Sequence, residues 1–239
     1  MGGLKILILT AADDEIREIG DISYANKKRY ADKHGYDVEY VTEYPTWCNW
    51  QGGDRSWYKI PLVLDRLSRF DWIWWSDADS LIRNFQIRLE DILATDKDLV
   101  IGRDHQPFVM PTTPSEPVSR VGMINCGNFM IRNCEWSAGF LAQVINSTWI
   151  EALGYYHREQ GAMIRLLDDL YNSERVEYVP MRTFNSYSDY ALTAEESSWK
   201  TQDIYKDGDF VIHWAGTVPP NSLVLREMLH YRRRYPKDF

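Results

Sequence analysis

Two aspartates one residue apart, Asp77 and Asp79, directly follow the apolar aromatic run Trp72-Ile73-Trp74-Trp75-Ser76. The run is too short for a buried helix and rich in strand-favouring side chains, so it predicts a central β-strand over 72–76. Side chains alternate along a strand, so the two carboxylates project the same way if the extended backbone continues past Ser76. Two hard oxygen ligands there suit Mn²⁺ or Mg²⁺ that itself holds a diphosphate. Open α/β sheets bind their ligands at that same end of the strands. The alternative is a solvated Asp-Ala-Asp turn after a core strand.

His213 closes a late apolar run predicted as a strand over 210–214. An imidazole added to two carboxylates gives a donor set suited to Mn²⁺, with diphosphate oxygens completing six-coordination. The alternative for a lone histidine is a half-buried, hydrogen-bonded side chain. His105, His157 and His230 have no comparable setting and read as structural. Lys59, after Trp57-Tyr58 and before Pro61, is either a cation near a diphosphate or a solvated charge at a helix start. Asn125-Cys126-Gly127 is either a polar contact with a glycine that lets the backbone come close, or an Asn-x-Gly turn before a strand.

The elements that must position these groups alternate. Strands are predicted over 5–10, 37–41, 72–76, 98–101, 128–131, 176–179 and 210–214, and helices over 23–34, 57–67, 88–94, 137–146, 160–170 and 223–234. Gly35 gives the first helix a normal stop, and Pro61 fits the next helix only in its first turn. The stretch 106–118 carries four prolines and reads as a loop lying over something. This rhythm predicts one α/β domain over 1–239, with a central mostly parallel sheet flanked by helices. No glycine-rich phosphate loop is present, so a bound nucleotide needs a metal to hold its phosphates.

At 239 residues the chain is long enough for a substantial core, and 44% hydrophobic with 26% charged residues is ordinary for a globular protein. The 10 Trp and 15 Tyr exceed what packing requires, and broad aromatic surfaces suit sugar rings. A net charge of −8 argues against a nucleic-acid partner. The basic tail Arg232-Arg233-Arg234 with Lys237 reads as a solvated terminal helix. Three cysteines, Cys48, Cys126 and Cys134, have no paired spacing, which favours reduced thiols and a cytoplasmic setting. The apolar run 4–9 is too short for a signal or a membrane span, and no other segment reaches that length.

An ordered set of blocks carries a resemblance. They are Asn26-Lys27-Lys28-Arg29-Tyr30 with His34-Gly35-Tyr36; Trp57-Tyr58-Lys59-Ile60-Pro61; the run 72–80; Asn125-Cys126-Gly127-Asn128-Phe129 with 131–137; Glu159-Gln160-Gly161-Ala162; and 210–216. Over roughly residues 20–217 the chain resembles glycosyltransferase family 34, the galactosyltransferase/xylosyltransferase/mannosyltransferase group. The resemblance implies a GT-A fold and a Mn²⁺-dependent transfer from a nucleotide sugar to a glycan hydroxyl, with retention and an α-linked product. UDP is the leading nucleotide, GDP the alternative, and Mg²⁺ the alternative ion.

Carried over residue by residue, the resemblance implies metal ligands Asp77, Asp79 and His213. It implies donor contacts at Lys59, Asp77, Ala78, Asn125, Gly127 and Gly216. It places Glu159-Gln160 beside the transferred sugar, where the family has an Asp-Gln pair. Glutamine is a poor nucleophile, so the expectation is a front-face reaction in which Gln160 steadies the developing sugar cation. The nucleotide-sugar half is expected at roughly 1–104 and the acceptor and metal-completing half at roughly 105–239. Thr217-Val218-Pro219-Pro220 stands where the family often has a lysine or cysteine, so Arg226 or another base would replace that phosphate contact. A nucleotide-sugar hydrolase and an inactive carbohydrate-binding domain are the alternatives. Pocket contacts that spacing does not reveal decide which sugar is transferred.

Overall fold

The computed structural model describes residues 3–44, 55–105, 122–147, 158–189, 201–215 and 221–239. Among these, the strands are β1 (Ile6–Ala11), β2 (Asp37–Val41), β3 (Trp72–Ser76), β4 (Ser80–Ile82), β5 (Leu99–Asp104), β6 (Met123–Arg132), β7 (Val176–Pro180), β8 (Ser186–Tyr187) and β9 (Val211–His213). The helices are α1 (Arg17–His34), α2 (Lys59–Leu67), α3 (Leu89–Ile92), α4 (Glu135–Ile145), α5 (Arg158–Leu167), α6 (Leu170–Ser173) and α7 (Asn221–Arg234).

A six-stranded sheet has the order β2-β1-β3-β6-β5-β7. All its pairings are parallel except the two that flank β6, so one strand runs against five. The sheet is therefore mostly parallel, as expected. Every residue of β3 is buried, which is the consequence of helices covering both faces. Ile73 and Trp75 pack with Leu62, Val63 and Leu67 of α2 and Phe140, Leu141 and Val144 of α4. Trp72 and Trp74 point the other way, onto Tyr30 and Ala31 of α1, Leu89 and Phe210. Truncating a tryptophan buried as completely as Trp74 to alanine costs about 3–5 kcal/mol.

A second, three-stranded sheet, β4-β9-β8, carries the chain away from the end of β3. Its register sets Ser80 opposite His213 and Tyr187 beside it. This small sheet brings together residues more than a hundred positions apart. Of its strands only β9 was expected; β4 and β8, of three and two residues, leave no periodic signal, so the sheet itself was not foreseen.

Two elements differ instructively from the sequence expectation, and a third agrees with it. Helix α1 begins at Arg17, because Ile19 and Ile22 already pack inward among charged neighbours; it ends on Gly35 at φ 78° as expected. Pro61 is the third residue of α2, within the first turn, where its missing N–H leaves no helical bond unmade. Strand β6 starts at Met123, so Asn125-Cys126-Gly127 is strand and not turn. Its register against β5 shifts between Ile101 and Gly102, a bulge beside the functional end of the sheet. The proline-rich stretch 106–118 and Gly216 lie outside the described residues.

Candidate active site

Asp77 and Asp79 leave the carboxyl end of β3 in a turn that leads into β4, so the extended backbone stops at Ser76. They converge because the turn is held, not because a strand continues. The Asp77 N–H donates to the Gly127 carbonyl at 2.7 Å, and the Asp79 carbonyl accepts the Trp214 N–H at 3.0 Å. The Trp75 indole N–H donates to Asp77 Oδ1 at 2.6 Å and aims that carboxylate. Opposite Ser80, His213 enters from β9, and one ligand atom each from Asp77, Asp79 and His213 lies within 4.8 Å of the others. These three residues could hold a metal ion.

The hydrogen-bond network around His213 decides what its free nitrogen can do. Asn185 Nδ2 faces the carbonyls of Asn125 at 3.4 Å and Asn128 at 3.2 Å, so Oδ1 must be the atom turned to His213 Nδ1, at 2.9 Å. That Oδ1 accepts, so Nδ1 carries the imidazole proton. Nε2 is then a lone pair facing Asp79 Oδ1 at 3.2 Å. Two acceptors at that distance require a cation between them, a proton or a metal. Burial opposes charge on Asp79, but with a proton in that position the attraction and hydrogen bond of His213 outweigh it and hold the Asp79 pKa below the ordinary aspartate value.

Gly127 explains how the imidazole fits. A Cβ at this position would lie 2.1 Å from His213 Cε1 and 2.8 Å from Nε2. The close approach that the glycine permits in this structure is that of the histidine ring. Asn125 is buried, accepts the Gly127 N–H on Oδ1 at 2.9 Å and donates from Nδ2 to the Tyr187 hydroxyl at 3.3 Å. Tyr187 in turn hydrogen-bonds the Asp104 carboxylate.

Lys59 is not a solvated charge. It is buried at the start of α2, with Nζ 3.1 Å from Asp77 Oδ1, 3.0 Å from Glu159 Oε1 and 3.3 Å from the Cys126 carbonyl. Burial disfavours its charge, but the carboxylates of Asp77 and Glu159 more than offset this and raise its pKa above the usual lysine range. Glu159 is likewise buried, and Gln160 accepts the Cys126 N–H on Oε1 at 3.0 Å. Burial and the neighbouring Glu159 carboxylate push the Cys126 thiol up, so it stays an un-ionised apolar group.

Beside these groups opens a cleft of about 340 Å³, lined by Asp13, Arg55, Lys59, Asp77, Ala78, Asp79, Arg158 and Trp214 among others. Arg55 pairs with Asp13 across it, and Arg158 opens α5 at φ 50°, in the left-handed region that non-glycine residues rarely adopt. Arg226 stands at an exposed position of α7.

Sequence reasoning gave no role to Asn185, Arg55, Arg158 or Lys27. Lys27 is fully buried on α1, and its Nζ donates to the carbonyls of Asp77 at 3.0 Å and Ser80 at 3.2 Å. Burial lowers its pKa to about 7, with Asp77 and Asp79 pulling it back up. Ser23 and Asn26 bind the same β4 backbone, Asn26 bonding both the N–H and the carbonyl of Ile82. The one available signal was that these residues sit three and four apart on one helix face.

The sheet order and the acidic turn at the end of β3 define a GT-A glycosyltransferase fold. Among solved structures, a glycosyltransferase involved in glycosylation of the major capsid of PBCV-1 superposes with a TM-score of 0.63 at 14% identity, covering 95% of this chain and 99% of that one. The galactosyltransferase LgtC, bound to donor and acceptor sugar analogs, gives 0.55 at 15% identity over 98% of this chain and 100% of that one. The chain belongs to the galactosyl transferase GMA12/MNN10 family, whose pattern matches residues 4–222.

Curated relatives include the probable alpha-1,6-mannosyltransferase MNN10 of Saccharomyces cerevisiae, 30% identical over 83% of this chain and 55% of that protein. An alpha-1,2-galactosyltransferase of Schizosaccharomyces pombe is 26% identical over 80% of this chain and 54% of that protein. The chain thus matches about half the length of these two relatives. Among the described residues, no helix is long and apolar enough to cross a membrane.

Proposed function

We propose that this chain is a metal-dependent glycosyltransferase. It moves a hexose or pentose from a nucleotide sugar, UDP-linked first among the candidates, to a glycan hydroxyl, with retention and an α-linked product. The observation that carries the reading is the meeting of His213 Nε2 and Asp79 Oδ1, two acceptors 3.2 Å apart at the carboxyl end of the sheet. With Asp77 they make a carboxylate–imidazole donor set that suits Mn²⁺, with Mg²⁺ as the alternative. When bound, the ion would offset the charge of the donor diphosphate and support its departure. The names of the curated relatives and the family supply the transferase class.

This chain's own residues take the remaining tasks. Lys59 holds Asp77 and Glu159 in place, and its charge lies next to where a diphosphate would sit. The family resemblance assigns Ala78, Asn125, Gly127 and Gly216 to the donor, and Arg55 and Arg158 offer further phosphate contacts from the cleft wall. Gln160 Oε1 has two lone pairs, one engaged by the Cys126 N–H and one free to face positive charge on the sugar. In this front-face route the anomeric C–O bond breaks with its electrons going to the diphosphate. The acceptor oxygen bonds the same face, and its proton passes to a diphosphate oxygen. The nucleotide half spans roughly 1–104 and the acceptor half roughly 105–239.

The test is release of nucleotide from a panel of UDP- and GDP-sugars, with Mn²⁺ or EDTA, with and without oligosaccharide acceptors. Metal-stimulated release that rises with acceptor supports the reading. Release indifferent to acceptor replaces it with a nucleotide-sugar hydrolase, and glycan binding without turnover replaces it with a binding domain.

A further inference from the structure

We propose that Asn185 is a positioning residue that fixes the tautomer of His213 and so presents Nε2 to the metal; this rests on the metal site proposed above. Asn185 is fully buried between the short 3₁₀ turn Met181–Thr183 and β8, in neither the acidic turn nor the cleft wall. Its side chain nevertheless joins two strands that meet at the site, β6 and β9. Nδ2 donates to the Asn125 and Asn128 carbonyls of β6. Oδ1 accepts from Asn128 Nδ2 at 2.9 Å and from His213 Nδ1 at 2.9 Å. Because Nδ2 has only acceptors before it, the amide cannot turn over without setting N–H groups against N–H groups and oxygen against oxygen.

An alternative tautomer, with the proton on Nε2, would leave two acceptors, His213 Nδ1 and Asn185 Oδ1, facing each other in a dry interior. That arrangement carries the desolvation cost of unpaired buried polar groups. The amide therefore directs the lone pair to Nε2, the atom beside Asp79. The ring is held from its other side as well, because only a glycine at 127 leaves room for Cε1. Outer-shell partners of this kind orient a ligating histidine, and their loss typically lowers metal affinity about 10–100-fold.

Two variants separate the hydrogen bond from the packing. Asn185→Asp keeps an oxygen acceptor for His213 Nδ1, at a cost in stability because its second oxygen replaces the donor to the Asn125 and Asn128 carbonyls, whereas Asn185→Leu keeps the branched shape and removes the acceptor. Histidine-selective ¹⁵N NMR on the metal-free protein at alkaline pH reads the His213 tautomer directly, with His213→Gln identifying its signals. Calorimetry with Mn²⁺ and with Mg²⁺ reads affinity without needing turnover. The expected results are a wild-type Nδ1–H tautomer, the same tautomer and affinity within a few-fold in Asn185→Asp, and a roughly 10–100-fold weaker ion with mixed tautomers in Asn185→Leu. An Nε2–H tautomer in the wild-type protein overturns the proposal even if Asn185→Leu does not fold. So does a folded Asn185→Leu with unchanged affinity. A wild-type Nδ1–H signal with no binding of either ion would instead sink the metal site and leave the tautomer assignment standing.

Discussion

Lys59 Nζ lies 3.0 Å from Glu159 Oε1, with both side chains buried. The same ammonium reaches Asp77 Oδ1 at 3.1 Å, so one cation ties the metal-side carboxylate to the residue beside the expected sugar position. A carboxylate committed to an ion pair in this way is a poor candidate for attack on an anomeric carbon. Glu159→Gln keeps the shape and weakens the pair, and measurable transfer should persist. Complete loss of turnover in a folded Glu159→Gln protein, together with a glycosylated Glu159 trapped in the wild type by mass spectrometry, would establish double displacement instead.

Gln160 faces the site from α5 with Oε1 anchored on the Cys126 N–H. If its free lone pair supports charge that develops on the sugar, the interaction strengthens only as the bond breaks. Gln160→Ala should then lower kcat by about 10²-fold or more, in line with the loss of one preorganised polar group, and leave donor affinity within a few-fold. Steady-state kinetics beside donor calorimetry separates the two effects. Equal losses in kcat/KM and donor affinity would make Gln160 a binding residue.

Gly127→Ala places a methyl group 2.1 Å from His213 Cε1. The ring cannot retreat without giving up Asn185, so the strand must move. A loss of about 1–3 kcal/mol in stability is expected, as for other overpacked interiors, with weaker Mn²⁺ binding alongside. Thermal unfolding and Mn²⁺ titration check it, and a variant that matches the wild type in both would show that His213 is not held where the structure places it.

Lys27 gives a pH signature. Below pH 7 it is protonated in folded and unfolded chains alike, and the cost of burying its charge falls wholly on the folded state. Its folded pKa of about 7 lies below the usual 10.5, so the unfolded chain binds more protons between these values and stability rises with pH across that window. At about 1.4 kcal/mol per pH unit, the rise across this window amounts to a few kcal/mol. Denaturant unfolding of the metal-free protein from pH 6.5 to 10 should show this rise in the wild type and not in Lys27→Met. Parallel curves would place the Lys27 proton on the folded chain throughout.

The parts of this site that could be read from sequence are those with a dense local signal. The run 72–76 announced a buried strand because four consecutive strand-favouring side chains, Trp72 to Trp75, admit few other readings, and the two aspartates came with it. His213 could be proposed because the family resemblance marks a histidine there as a ligand and it ends a short apolar strand. Asn185 could not: it is a lone polar residue whose importance comes from the β6 and β9 groups that meet at its side chain. Lys27 looked like one charge among several on a polar helix, and only burial under the acidic turn distinguishes it. The Asn125-Cys126-Gly127 segment was ambiguous because Asn-x-Gly favours turns locally, and here pairing with β3 and β5 prevails.

Calorimetric titration of UDP into the protein, with Mn²⁺ or with EDTA, tests the central claim most directly when wild type and Asp79→Ala are run side by side. Asp79 contributes its carboxylate to the cation position, while its backbone carbonyl keeps the Trp214 bond that holds the turn, so the variant should remain folded. The account predicts that the wild type binds UDP when Mn²⁺ is present and loses it in EDTA. It predicts that a folded Asp79→Ala fails to bind UDP under either condition. UDP binding of equal strength in EDTA, or undiminished Mn²⁺-dependent binding by Asp79→Ala, would contradict it.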